Sequence, residues 1–329
     1  MHNGAVGKKH EINIWDLGKK INVRVNKNLI DFLNNKTKKI FKCKSNIHKE
    51  LNKYYKIPFS TFKTRMKVGY EYFIDLEILV NLCRILNVPL AYLQSNIISY
   101  KIRRSRNYVE KPKLPIIISP IFDMLIAHHM ADGFVTKIRG REPYFGYKQY
   151  NKELRLMYIK KIEYVFGKIR FDKNYQKTSY QVYCPATFTN LFLRYYSLKA
   201  EDFLSDRAKI PKEIYHKHKN SLLAILLAFI IDEGHIDSCN IVIRLNNRFL
   251  AHDIYRICNT LDYKATLTKG KDAMYNIYIL KEGLIDLYKD YQHLKRVFPE
   301  VNLCSKEEQI EFVIRRFRTP RIRTENKKE

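Results

Sequence analysis

The sequence predicts an α+β protein: two similar α-β-β-α-β-β-α halves preceded by an all-α domain. Three observations predict it. Helical and strand periodicities alternate from about residue 117 to 295, and the order of those segments occurs twice; before residue 100 the strong periodicity is helical. A length of 329 residues exceeds what one hydrophobic core usually organises, so several domains are expected. At 46% hydrophobic residues, with 11 Gly and 10 Pro, the chain has enough apolar material for large cores and does not read as a disordered basic tail.

In the N-terminal region, residues 1–100, one amphipathic helix begins at Asn28-Leu29-Ile30 and another at Asn46-Ile47-His48, closed by the break at Ile57-Pro58. A short basic helix follows through Thr61–Lys67, and Asp75 opens an apolar helix over Leu76–Leu86. Helix, tight turn, short basic helix and closing helix is the order of a helix-turn-helix unit. Its short helix offers Ser60, Thr61, Lys63, Thr64, Arg65 and Lys67 for phosphate and base-edge contacts. Charge and proline then replace periodicity, as in Lys111-Pro112-Lys113-Leu114-Pro115, so 101–116 reads as a basic linker.

The first repeat occupies 117–200. An apolar helix over Ile121–Asp132 stops at Gly133; two strand-like stretches, a helix over Lys152–Phe166, two more strands and a helix over Thr187–Tyr196 follow. After a linker at 201–219 the second repeat fills 220–295: an apolar helix over Leu222–Glu233 stopped by Gly234, the strand Ile241–Leu245, a helix from Arg248, a hairpin around Lys269-Gly270-Lys271, and a helix from Glu282. A C-terminal helix over Lys306–Phe317 and a basic tail complete residues 296–329.

Charge narrows the partner. With 61 Lys+Arg against 33 Asp+Glu the formal net charge is +28, a field that attracts polyanions, nucleic acid first and anionic membrane second. The longest apolar run, Leu222–Ile231, is about half of a membrane span, and no charged-then-apolar signal opens the chain, so a cytoplasmic protein without membrane contact is expected. The six cysteines show no C-x-x-C pair and no zinc spacing; they read as buried free thiols.

The openings of the two repeats align as Leu125-Ile126-Ala127-His128-His129-Met130-Ala131-Asp132-Gly133 and Leu226-Leu227-Ala228-Phe229-Ile230-Ile231-Asp232-Glu233-Gly234. Each ends in a carboxylate followed by glycine. Asp123, Ala127 and Ala131 in one, and Ala224, Ala228 and Asp232 in the other, recur every four residues and leave a strip where two helices approach closely. If the strips pack together, Asp132 and Glu233 come side by side, an arrangement that needs positive charge or a proton between them. The glycines are expected to stop the helices in the left-handed conformation.

These nonapeptides, about 100 residues apart, and the order of elements resemble the LAGLIDADG homing endonucleases in their single-chain, two-motif form, over about residues 117 to 295. The copies are diverged: His128, His129 and Met130 stand where that family generally has two apolar residues and an acid, and Asp232 stands where it generally has a small residue. The resemblance implies a site-specific, divalent-metal-dependent double-stranded DNA endonuclease, monomeric because both halves share one chain, with Asp132 and Glu233 as catalytic ligands of Mg²⁺ or Mn²⁺. It also implies a basic residue past the last strand of each half. Lys281 fits in the second half, whereas Cys184-Pro185-Ala186-Thr187 in the first has no lysine. The strand residues expected along DNA are Lys137, Arg139, Arg141, Lys148, Arg170, Lys173 and Lys177 in the first half, and Arg244, Lys264, Lys269 and Lys271 in the second. Two alternatives remain open at this point: a DNA-binding regulator that kept the fold and lost cleavage, and an intron RNA maturase using the same basic surface.

Overall fold

A computed structural model describes residues 10–318, apart from 19, 69, 104, 137–142, 172–179 and 205. The fold is mixed α+β, with twelve α-helices and four antiparallel sheets among these residues.

The N-terminal region contains β1 (Glu11–Ile12), β2 (Ile21–Val25), α1 (Lys27–Phe41), α2 (Lys44–Leu51), α3 (Phe59–Val68), β3 (Ile74–Asp75), α4 (Leu76–Ile85), α5 (Leu90–Ser95), β4 (Ile97–Ile102), β5 (Tyr108–Pro112) and β6 (Ile116–Ile117). The helices start where the sequence supplies caps: the Asn26 side chain accepts from Leu29 N at 2.9 Å, and the Asp75 carboxylate from Glu77 N at 3.0 Å. Helices α1, α2, α3 and α4 bury Leu29, Leu33, Ile47, Leu51, Phe62 and Leu79 against one another.

This region is not all-α, and residues 101–116 are not a bare connector. The helices are bracketed by β2 and β4, which pair directly, and β5 pairs with β4 on one side and with β9 (Gly167–Arg170) of the first repeat on the other. The resulting sheet runs β3-β2-β4-β5-β9. Its alternating residues Val23, Tyr100, Val109 and Ile169 are buried, which explains why a stretch rich in charge is still a strand: only every second side chain needs to be apolar. Short β1 pairs with β6 in the same way.

The first repeat consists of α6 (Pro120–Met130), β7 (Gly133–Thr136), β8 (Tyr144–Lys148), α7 (Lys152–Phe166), β9, β10 (Gln181–Tyr183) and α8 (Ala186–Tyr195). The second consists of α9 (Lys219–Glu233), β11 (Gly234–Ile236), β12 (Ile241–Leu245), α10 (Arg248–Thr260), β13 (Ala265–Lys269), β14 (Tyr275–Ile279) and α11 (Lys281–Val297); α12 (Ser305–Arg318) follows. The element order agrees with the sequence reading. The sheets differ, however: the second repeat has β11-β12-β14-β13, whereas the first has β10-β8-β7, its remaining strand β9 being paired to β5.

Helices α6 and α9 pack directly together. Every residue from Ile121 to Met130 and from Ser221 to Ile231 is buried, so each helix is covered on all sides rather than on one stripe. Each fully buried Leu or Ile here contributes about 1.5–3 kcal/mol. Ser119 caps α6 through a bond from Phe122 N, with Pro120 in the first turn where no donor is lost.

Gly133 and Gly234 follow these helices as expected but for another reason. Gly234 is extended at φ −82°, ψ 142°, and neither glycine is among the positive-φ residues. A Cβ at Gly133 would lie 2.3 Å from His129 Cα, and one at Gly234 would lie 2.4 Å from the Ile230 carbonyl oxygen. Glycine lets each strand leave in close contact with the last turn of its helix. The thiols are free, and Cys83, Cys184 and Cys258 are buried as expected, but Cys43 and Cys239 are exposed and Cys304 is half-buried. Among the described residues no helix is long and apolar enough to cross a membrane.

The shared sheet predicts that deleting residues 1–100 does more than remove a module. Without β2 and β4, β5 loses a partner and the buried Val109 and Ile169 are uncovered, so the truncated protein should melt lower and bind more of a hydrophobic dye than the full chain. Unchanged melting of residues 101–329 would show that the sheet does not couple the regions.

Candidate active site

The site lies where α6 and α9 end. Glu233 is the last residue of α9 and Asp132 the second after α6, each followed by its tight glycine exit into a strand. Both carboxylates are largely buried and electrostatically coupled, with Asp232 as a third. Desolvation foremost, then the charge of Asp232, pushes Asp132 up to about 7; desolvation and the charges of Asp132 and Asp232 push Glu233 up to about 7. Acids at the negative ends of two helix dipoles, crowded and desolvated, have no stabilising structural task there.

The three acids have different surroundings. Asp132 accepts one side-chain bond, from Gln149 Nε2 at 2.9 Å, and its backbone carbonyl accepts from Lys148 N at 3.1 Å. The Asp232 side chain is fully enclosed, accepting from Tyr147 Oη and hydrogen-bonded to His128 Nδ1, both at 2.7 Å, and burial pushes it too up to about 7. Burial, and then the Lys161 charge, holds His128 well below its usual range, so the ring is neutral and shares a proton with Asp232 through Nδ1. The buried Lys161 of α7 is coupled to Asp232: burial pushes its ammonium down and the Asp232 charge holds it up. His129 instead bonds to Tyr158 in the core of the first repeat.

One cation reaches the centre from outside both repeats. Lys306, in the first turn of α12, donates through Nζ to the carbonyl oxygens of Ile230, Ile231 and Gly234 at 2.6–2.7 Å, and its charge lowers the affinity of all three acids for protons. Lys281, expected beside the acids, is the first residue of α11; its ammonium stands 4.7 Å over the Phe317 ring and interacts with Glu282.

Neither Gln149, Tyr147, His128, Lys161 nor Lys306 emerged as a site residue from sequence. A signal existed for Lys161, which interrupts the apolar stripe of α7 between Tyr158 and Ile162, and for His128, a polar residue inside an otherwise apolar helix. Lys306 follows the acids by more than seventy residues, and no local pattern marks it.

As donors, Asp132 and Glu233 are hard oxygen ligands whose mutual repulsion a divalent cation would relieve, and they fit such an ion. Among the described residues no group of three His, Cys, Asp or Glu forms a self-sufficient cage, so further ligands would come from solvent or substrate.

The surfaces expected to meet nucleic acid divide clearly. On α3, Ser60, Thr61, Lys63, Thr64 and Lys67 are exposed and Arg65 is half-buried, while Phe62 and Met66 face the helical core. On the second sheet Ile241, Ile243, Ile277 and Ile279 are buried, and the alternating Arg244 and Asn276, with Thr266 and Thr268, lie on the open side above a groove of about 670 Å³. Arg244 pairs with Asp272 at 2.6 Å and Lys264 with Glu282 at 3.5 Å; Lys269 stands 5.8 Å over Tyr275, and Lys271 lines the groove. In the first half Lys148 is exposed on β8, but Arg170 sits on β9 beside Glu110, outside the β7–β8–β10 sheet. Lys137, Arg139, Arg141, Lys173 and Lys177 lie outside the described residues.

A scan of protein-family models finds no match, and neither does a search of curated proteins. Among solved structures, the chain is similar to a mesophilic variant of the homing endonuclease I-DmoI, at 13% identity and TM-score 0.39 over 52% of this chain and 88% of that one. It is similar to the homing endonuclease I-WcaI bound to its DNA recognition sequence, at 14% identity and TM-score 0.34 over 52% of this chain and 80% of that one. A third similar structure is full-length DUF199/WhiA from Thermatoga maritima, at 11% identity and TM-score 0.36 over 61% of each chain. Likenesses this distant leave function to the residues of the centre.

The raised carboxylates predict a specific pH dependence. Their folded pKa lies above the unfolded value, so the folded state holds extra protons between about pH 4 and 7, and stability falls as pH rises through that window. Asp132→Asn removes one repelling charge and should raise the melting temperature of the metal-free protein at pH 8, by roughly 2–4 °C per kcal/mol of relieved repulsion, with little effect at pH 5. Equal shifts at both pH values in a calorimetric scan would contradict the repulsion.

Proposed function

We propose that this protein is a site-specific, divalent-cation-dependent double-stranded DNA endonuclease of the LAGLIDADG kind, acting as a monomer. The observation that carries the reading is the pair of largely buried carboxylates, Asp132 and Glu233, meeting at the ends of two directly packed helices and pushed up to about 7 by desolvation first and by one another's and Asp232's charge second. Burying unpaired carboxylates costs stability, and acids so placed suit a cation.

In this reading Asp132 and Glu233 hold Mg²⁺ or Mn²⁺, Gln149 aims the Asp132 carboxylate, and Asp232, fixed by Tyr147 and His128, adds negative potential without being displaced. When bound, the cation supplies Lewis acidity at the phosphate and acidifies a water. Arg244, Asn276, Thr266 and Thr268 on the open face of the second sheet suit base edges and phosphates, as do the exposed polar residues of α3, read as the recognition helix of a helix-turn-helix. The net charge of +28 favours a polyanion throughout.

A second reading, binding of structured intron RNA, is favoured by one feature. The open side of the first sheet is aromatic where the second is polar: Phe134 and Tyr144 both lie edge-on to Tyr183, at 5.6 and 5.5 Å between centroids, a surface suited to unpaired bases.

Incubation with a randomised duplex library and Mg²⁺ tests the endonuclease. The wild type should cleave a subset, Asp132→Asn and Glu233→Gln should bind without cleaving, and binding without cleavage by the wild type would sink the claim. If structured RNA outcompetes the selected duplex, the second reading holds instead. For α3, Lys63→Ala should weaken duplex binding and reduce the slope of log affinity against log salt by about 1. An unchanged slope would remove α3 from the interface.

A further inference from the structure

Lys306 reaches the acidic centre from a helix that belongs to neither repeat. Its helix is held in place independently: the neighbouring Glu307 accepts from Lys295 Nζ at 2.7 Å and from Tyr291 Oη at 2.6 Å, both on α11. From there Lys306 Nζ enters the last turn of α9, where the carbonyls of Ile230 and Ile231 end the helix and that of Gly234 begins the strand. An ammonium has three protons, and here all three go to carbonyl oxygens. None is left for a carboxylate, a water or a phosphate, so this lysine cannot serve as a proton donor or direct substrate ligand without leaving its seat. Its charge is felt by Asp132, Asp232 and Glu233 alike, while its hydrogen bonds go to the backbone of α9 and of the Gly234 exit next to Glu233.

We propose that Lys306 is a positioning residue that sets the charge of the acidic centre, holding down its affinity for a divalent cation in the free protein so that retention of the cation depends on nucleic-acid phosphates. This rests on the reading of Asp132 and Glu233 as cation ligands. With every group ionised, three carboxylates face two ammonium groups, Lys306 and the buried Lys161, and the centre carries one net negative charge. A divalent ion entering it makes the centre positive, a state that a partly desolvated site opposes until phosphate charge arrives. Phosphate then completes both the charge and the ligand count, which the described residues do not supply alone.

The test is Mn²⁺ binding by full-length protein without nucleic acid, followed by Mn²⁺ electron paramagnetic resonance, for the wild type, Lys306→Gln and Lys306→Arg. The glutamine amide keeps two donors for the α9 carbonyls and loses the charge; arginine keeps the charge. Lys306→Gln should bind Mn²⁺ about tenfold more tightly, as removal of one nearby unit charge implies, and Lys306→Arg should resemble the wild type. Adding a duplex should tighten Mn²⁺ binding strongly in the wild type and less in Lys306→Gln. A lysine that merely caps α9 would lower the melting temperature of the glutamine variant and leave its Mn²⁺ affinity within twofold, which overturns the proposal. Mn²⁺ affinity unchanged by Asp132→Asn and Glu233→Gln overturns the ligand reading instead, so the two failures are distinguishable.

Discussion

The direct packing of α6 on α9 is the constraint on which the rest of the structure depends. Two helices buried on every side must be surrounded by other elements, and their neighbours on α7, α10 and the flanking sheets do this. Because the helices run to the same end, the residues that terminate them are brought together whatever those residues are. The strands that follow must leave at once to cover the same helices, and they pass so close to the last turns that only glycine fits at 133 and 234. Acid and glycine side by side therefore record two separate demands, one chemical and one steric.

Electrostatics explains the remaining features of that end. Carboxylates at the negative ends of helix dipoles, removed from water and close to one another, favour the protonated form. The fold offsets this in two ways. Asp232, the most enclosed, is surrounded by donors, with Tyr147 and His128 bonded to it and Lys161 nearby in charge. Asp132 and Glu233 are left with far less: one amide from Gln149, and the field of Lys306, whose protons are occupied elsewhere. All three carboxylates are nonetheless pushed up to about 7, Asp232 by burial above all, and Asp132 and Glu233 differ in having oxygens to spare, as a binding site requires.

The sheets show how an added N-terminal region alters a duplicated body. In the second repeat four strands share one sheet, whereas in the first β9 pairs with β5, drawing the bracketing strands of the N-terminal helices into continuity with the repeat. Helix α8 packs on β4, and Arg194 of α8 donates to the Asp16 carbonyl at 3.0 Å, so the two regions share packing as well as hydrogen bonds. Asymmetry extends to the open faces, polar in one repeat and aromatic in the other.

By itself the sequence determined the elements and the position of the acids. Helical periodicity placed α7 at Lys152–Phe166, alternation placed β12 at Ile241–Leu245, and the repeated acid-glycine ends singled out Asp132 and Glu233, because all of these signals lie within a few turns of chain. It also gave the net charge of +28, which needs no coordinates. Tertiary structure decided everything that depends on distant segments meeting. Strand character in 101–116 is invisible until β4 and β9 supply partners, because exposed charged residues alternate there with few apolar ones. Lys281, in the expected place after the last strand, is directed to Phe317, and Lys306 of α12 supplies the charge at the acids. Long-range placement of a single side chain leaves no period and no spacing in a sequence; packing of α12 against α11 and β11 alone brings that ammonium to the end of α9.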